Sequence, residues 1–154
     1  MSGRALLDTN IVIALFAKEA VVQLRLAETD EAFISSIVLG ELYYGAQKSS
    51  RVEANIARVN TFAAANAVLG CDAATAQYYG AIKNHLRARG QPIPENDIWI
   101  AATARQHQLT LVTRDGHFQA VEGLEAIREL LIVLGRLFLV MEFRVGHGAQ
   151  AMEH

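Results

Sequence analysis

Four acids stand where a strand should end or a helix should begin: Asp8, Glu41, Asp97 and Asp115. The chain has only five aspartates, and three of them fall in this set. Asp8 closes the apolar run Arg4–Leu7, and Asp115 follows Leu109–Thr113 with one residue between. In an open parallel sheet, ligands bind beyond the carboxyl ends of the strands, so both acids should project over that edge. Asp97 belongs in the first turn of one helix and Glu41 in the second turn of another, so all four can converge on one cleft. Gathered carboxylates repel, and at neutral pH at least one is pushed towards its protonated form. A divalent cation removes that penalty. An oxygen ligand set with no convergent histidine or cysteine selects a hard ion such as Mg²⁺ or Mn²⁺. Such a site suits phosphodiester hydrolysis, in which metal charge generates or positions hydroxide and stabilises the phosphate and the leaving oxygen.

Each acid also has a purely structural reading. Asp8 can cap a helix, Glu41 can be a solvated helix residue, Asp97 can complement a helix dipole, and Asp115 before Gly116 can be a turn residue. These readings leave the apolar setting unexplained. Glu41 is framed by Ile37-Val-Leu39 and Leu42-Tyr-Tyr44, and Asp97 is followed by Ile98-Trp-Ile100. Acids so placed are expected to be partly buried.

The elements that must carry these acids emerge from the same pattern. Arg4 to Asp8 reads as a buried parallel strand. Thr9 and Asn10 are expected to cap a helix over Ile11–Ala17, and a second helix runs from Ala20 to Ala27. Ala32–Ile34 is a strand, and Ser35-Ser36 opens the helix Ile37–Lys48. Arg51–Ala65 is helical, Ala67–Leu69 is a weak strand, and Asp72 caps a long helix from Ala73 to Arg89. Two prolines keep Gly90–Pro94 non-helical. Asn96-Asp97 is expected to cap Ile98–Gln106. Leu109–Thr113 is the strongest strand signal, residues 114–117 read as a turn, and a fifth short strand falls within Val121–Ile127. Strands alternating with helices at this spacing imply an α/β fold with a parallel sheet covered on both faces.

Composition bounds the function. The chain has 154 residues, 52% hydrophobic and 19% charged, with one cysteine and a net charge of −2. That is an ordinary globular composition in one domain, without a disulfide framework or a paired-cysteine zinc site. Bulk positive charge for coating nucleic acid is lacking. The basic residues are 11 arginines against 3 lysines, however, and arginine is the better bidentate phosphate ligand. The N-terminal residues lack a signal-peptide layout. The apolar run Leu130–Met141 is roughly half the ~20 residues a membrane-spanning helix needs. A cytoplasmic protein without membrane association is expected.

At the four acids the sequence resembles a known family. Leu6-Leu-Asp-Thr-Asn10, Val38-Leu-Gly-Glu-Leu-Tyr-Tyr-Gly45, Pro94-Glu-Asn-Asp-Ile-Trp-Ile-Ala-Ala102 and Leu111-Val-Thr-Arg-Asp-Gly-His-Phe118 resemble the PIN-domain ribonucleases. More closely, they resemble the VapC toxins of bacterial toxin–antitoxin pairs. Any one motif is a weak signal; four in order and at the family's spacing, over about residues 4 to 128, are a strong one. The resemblance implies a PIN-like three-layer α/β/α sandwich with a central parallel sheet of about five strands. It implies a Mg²⁺-dependent (or Mn²⁺-dependent) endoribonuclease toxin that cuts structured RNA such as tRNA with metal-activated water and leaves a 5′-phosphate. A cognate VapB-like antitoxin that blocks the site and a homodimer or higher complex are also implied. The family's four acids fall on Asp8, Glu41, Asp97 and Asp115. Asp8, Asp97 and Asp115 are expected to hold metal, and Glu41 to hold a second metal or orient the water. Asn10, Asn96 and Thr113 are supporting residues, and Arg114 is a candidate for RNA phosphate or a solvated surface residue.

The remaining candidates carry less. Trp99 is expected to pack in the core or at a dimer contact, Cys71 to be a buried small residue, and Tyr43 or Tyr44 to line an antitoxin groove or pack in the core. Arg87 and Arg89 suit a helix C-terminus. The histidines, His117 included, show no metal-ligand spacing and receive no role. Residues 1–130 are read as the nuclease domain. Residues 131–154 are an atypical extension, first apolar and then disordered, since VapC-like chains usually end soon after the last strand. Three other functions compete: a non-catalytic metal-binding partner in a promoter-regulating antitoxin complex, a structure-specific DNA nuclease, and a response-regulator-like phosphoacceptor. The last lacks an acid pair at Leu7-Asp8 and a lysine after Lys83. A haloacid-dehalogenase-like phosphatase needs a second acid where Asn10 stands.

Overall fold

A strand enclosed in a parallel sheet must be apolar on both faces. Arg4–Leu7 (β1) meets that demand, with Ala5, Leu6 and Leu7 all buried. The structure, a computed structural model, describes residues 3–128; the extension expected over residues 131–154 lies outside them. Five strands form one parallel sheet: β1, Glu31–Ser35 (β2), Ala67–Leu69 (β3), Thr110–Thr113 (β4) and Ala126–Arg128 (β5). Their spatial order is β3-β2-β1-β4-β5. Leu6 stands opposite Phe33 on one side and Leu111 on the other.

The chain moves outward from β1 to β2 to β3, then jumps back across β1 to β4. The helices of the first two crossovers are Thr9–Phe16 (α1), Ala20–Ala27 (α2), Ser36–Lys48 (α3) and Val52–Ala65 (α4). Those of the return are Ala73–Ala88 (α5) and Glu95–Gln106 (α6). Right-handed crossovers in opposite directions place the two sets on opposite faces of the sheet, which gives the expected α/β/α layering. The boundary between β1 and β4 is the topological switch point, where a crevice opens at the carboxyl edge.

α6 is buried on most of its circumference: Ile98, Ile100, Ala101, Ala102, Thr103 and Ala104 are all enclosed. Small alanines let it lie close against α5 and the sheet, so its first turn is held firmly. Among the described residues, no helix is long and apolar enough to cross a membrane.

Several local expectations need correction. Thr9 and Asn10 lie inside α1 rather than capping it. Asp8 is the N-cap, and its carboxylate accepts from the Thr9 N–H. Asn96 and Asp97 likewise lie inside the first turn of α6, because Pro94 ends the extended connector and the helix starts at Glu95. The turn expected after Thr113 becomes a short 3-10 helix, Gly116–Ala120, anchored by buried Phe118. Cys71 is exposed, not buried: it lies between β3 and α5, where the chain leaves the sheet.

Candidate active site

Asp8 is the innermost acid. Its backbone N–H still bonds Val112 O at 3.0 Å, so the residue belongs to the sheet edge even as it caps α1. It is 5% exposed. Its Oδ1 accepts from the Thr9 N–H at 2.8 Å, and its Oδ2 accepts from Thr113 Oγ1 at 2.6 Å and from Asn10 Nδ2 at 3.3 Å. Burial raises its pKa; the Thr113 and Thr9 hydrogen bonds oppose that, and the charges of Asp97 and Glu41 add to it.

Glu41 comes from the second turn of α3. Ser35 ends β2 and caps that helix, accepting from the Val38 N–H at 3.1 Å. Val38, Leu42 and Ala46 bury one face of α3, and Glu41 sits half-buried at its rim. Thr9 Oγ1 donates to Glu41 Oε2 at 2.6 Å, and Asn96 Nδ2 donates to Oε1 at 3.2 Å. The carboxylate is thus tied to α1 and α6 at once.

Asp97 is half-buried in the first turn of α6. Burial raises its pKa, contacts with His117 oppose the rise, and the charges of Glu41 and Asp115 add to it. Asp115 lies beyond β4, its N–H bonded to Thr113 Oγ1 at 2.9 Å. The charges of Asp97 and Glu41 act on Asp8 and those of Glu41 and Asp115 on Asp97, so the four expected acids gather at one point of the sheet edge. The neighbouring acid Glu95 does not join them. Lys83 Nζ holds its Oε1 at 2.6 Å and Tyr79 bonds its other oxygen.

The site also contains a residue that sequence reasoning missed. His117 contacts Asp97 through Nε2 and Asp115 through Nδ1, the latter at 2.7 Å. Ligand atoms of Asp97, Asp115 and His117 all lie within 4.8 Å of one another. The expectation that no histidine converges on the acids is corrected accordingly. The signal was present in Asp115-Gly116-His117. An acid and an imidazole two residues apart meet when the chain coils tightly after a strand, and spacing rules for helical metal motifs do not capture that.

The supporting residues divide. Asn10 donates to Asp8 and accepts from the Arg114 N–H at 3.2 Å, bracing the β4 exit against α1. Asn96 and Thr113 bond the acids directly. The Arg114 guanidinium is engaged by both carboxylate oxygens of Glu19, which holds it beside α2. Trp99 stacks on Tyr79 with ring centroids 4.1 Å apart and planes inclined at 19°, in keeping with a packing role. Tyr43 is fixed by Asn60 at 2.6 Å, whereas Tyr44 is 64% exposed.

This arrangement fits a divalent cation. Carboxylates gathered at one partly buried point form an excess of negative charge, and a cation at their centre offsets it. Asp97, Asp115 and His117 are the candidate ligands whose atoms lie together, with Asp8 and Glu41 the further carboxylates of the site. One imidazole among carboxylates remains compatible with Mn²⁺ as well as Mg²⁺.

The PIN-domain profile matches residues 5–124. The chain is 39% identical over 112 residues to Ribonuclease VapC2 of Haemophilus influenzae, covering 71% of this chain and 85% of that protein. It is also 39% identical over 122 residues to the tRNA(fMet)-specific endonuclease VapC of Shigella flexneri, covering 77% and 92%. Two solved complexes share its fold. One is VapBC2 of Rickettsia felis bound to a promoter DNA fragment, with TM-score 0.75 and 30% identity over 81% of this chain and 98% of that one. The other is DNA-bound VapBC of Salmonella typhimurium, with TM-score 0.76 and 32% identity over 82% and 98%.

Proposed function

Since the chain belongs to the PIN-domain family, in its VapC-type branch, we propose that Asp8, Glu41, Asp97 and Asp115 are the catalytic acids of a metal-dependent endoribonuclease toxin. The observation that carries this reading is the convergence of all four at the β1/β4 switch point, tied together by Thr9, Asn96 and Thr113. A divalent ion, Mg²⁺ or Mn²⁺, supplies charge for the phosphate oxygens and lowers the pKa of water. Asp8 is held in one orientation by three donors, so its carboxylate is fixed in advance of binding. Asp97 and Asp115 meet at the His117 ring. Glu41, braced at both oxygens, orients the attacking water. Among the described residues, no serine or cysteine nucleophile adjoins the acids, which supports direct attack by water.

The substrate is RNA, as the names of the relatives support, with a structured RNA such as tRNA the leading candidate and the cytoplasm the compartment of action. The partner is a VapB-type antitoxin. An apolar groove of about 390 Å³ lined by Ile13, Phe16, Leu42, Ala46 and Val59 reaches Glu41, which supports blockade of the site by an inserted antitoxin segment. DNA in the related complexes supports a second role, within a promoter-bound complex, alongside catalysis.

The test is the chemistry of the cut ends. Purified protein, free of antitoxin, is incubated with total cellular RNA and Mn²⁺ or Mg²⁺. Attack by water yields 5′-phosphate fragments that ligate to an adaptor without kinase treatment. Fragments ending in a cyclic phosphate would contradict the proposal, because they arise when the RNA's own 2′-hydroxyl is the nucleophile.

A further inference from the structure

Beside the acids, and sharing His117 with them, lies a second cleft of about 560 Å³. That volume suits one nucleotide. One wall is the connector after α5, carrying Arg89, Gln91, Pro92 and Ile93; the other is the 3-10 helix, carrying His117 and Gln119. Among the described residues, no acid lines it. Its lining therefore adds no carboxylate to those of the acidic centre.

The connector wall is built to hold its shape. Gly90 takes the left-handed conformation, φ +65°, that ends a helix. Gly90 N–H bonds Arg87 O at 3.1 Å and Gln91 N–H bonds Leu86 O at 2.9 Å. Pro92 and Pro94 restrict the rest of the connector to extended geometry. Arg89, the last residue of that turn, is exposed and rests on His85 at 3.2 Å; the same His85 nitrogen pairs with Glu122 at 2.9 Å. The opposite wall is anchored by buried Phe118.

The chemistry of the lining is that of a nucleotide seat. A guanidinium fork takes phosphate bidentately. Two primary amides, Gln91 and Gln119, each present a donor and an acceptor, which is what reading a base edge requires. Pro92 and Ile93 supply an apolar floor. His117 is common to both places: its ring nitrogens meet Asp97 and Asp115, and its body forms the cleft's inner end.

We propose that this cleft seats the nucleotide flanking the scissile phosphate, with Arg89 on its outer phosphate and Gln91 and Gln119 reading its base. The assignment rests on the nuclease reading above, and the experiment separates the two. Binding is measured by anisotropy of a fluorescein-labelled pool of randomised single-stranded RNA hexamers, in an Asp97→Asn background so that nothing is cut. Arg89→Ala is expected to weaken binding on the order of tenfold, the scale of one charge-assisted phosphate contact. Gln91→Ala with Gln119→Ala weakens it about threefold. Arg4→Ala, an equal loss of charge at the opposite edge of the sheet, leaves binding within about twofold. In fragments cut by protein with Asp97 intact, one position beside the cut shows a base preference that the double glutamine variant flattens. Unchanged binding in the cleft variants would overturn the proposal, and so would an absence of base preference in the parent protein. Should the parent leave RNA uncut while the cleft variants still lose binding, the nuclease reading fails and the RNA seat stands.

Discussion

Thr113 donates its hydroxyl to Asp8 Oδ2 at 2.6 Å, joining residues 105 positions apart in the chain. The same hydroxyl oxygen accepts from the Asp115 N–H at 2.9 Å. One fully buried hydroxyl thereby sets the position of two of the four acids, and it can do so only because β4 returns beside β1 in the sheet.

Replacing Thr113 by valine keeps the shape and removes that link. Cleavage is expected to fall about 10–100-fold, the usual effect of losing a residue that orients a metal ligand. Stability is expected to fall by about 1–3 kcal/mol, since Asp8 loses a buried donor. Denaturant melts and single-turnover cleavage measure the two losses separately.

His117→Ala removes the ring between Asp97 and Asp115. The two carboxylates then face each other without a partner, so the metal-free protein melts at a lower temperature. Adding Mn²⁺ should restore most of the loss, because a cation performs the same neutralisation. A thermal shift measured with and without Mn²⁺ checks this. An equal deficit in both conditions would show that His117 acts through packing alone.

The pH dependence arises from Asp8 and Asp97. Burial raises both pKa values above the ordinary aspartate value, so the folded chain holds these protons where the unfolded chain has released them. Stability from this source is full below the ordinary value and is lost as pH rises through the raised ones. Metal-free protein should therefore lose stability as pH rises above the ordinary aspartate value. Asp97→Asn should flatten that slope and raise the neutral-pH melting temperature. Melting temperatures of both proteins in EDTA across this pH range test the sign.

Ser35→Ala strips the cap from α3, the helix that carries Glu41. The expected cost is about 1 kcal/mol, with a modest loss of cleavage because Thr9 and Asn96 still hold the carboxylate. Equilibrium unfolding in urea gives the number.

Most of this site is legible in the sequence. Periodicity exposes β1 and β4, and an acid just past each strand end has to lie at the carboxyl edge. Capping chemistry places Glu41 and Asp97 in early helical turns. Where the sequence misleads, the cause is local. Of the two capping readings open at this strand end, Asp8 holds rather than Thr9-Asn10, which makes Thr9 a partner of Glu41. His117 escapes notice because the 3-10 helix after Asp115 has no hydrophobic period to betray it. Arg114 suggests a contact with RNA phosphate, yet its partner Glu19 lies 95 residues earlier, a pairing that only the sheet order reveals.

If the three aspartates serve one catalytic cation, the most direct test is the Mn²⁺ dependence of RNA cleavage. The parent protein is compared with Asp8→Asn, Asp97→Asn and Asp115→Asn, each confirmed as folded. In each variant, cleavage should fall at least ~10²–10³-fold, the scale for a group at the reacting centre, and the Mn²⁺-induced rise in melting temperature should shrink. A folded variant that cuts RNA at the parent rate, with the parent's Mn²⁺ dependence, would contradict a shared catalytic cation.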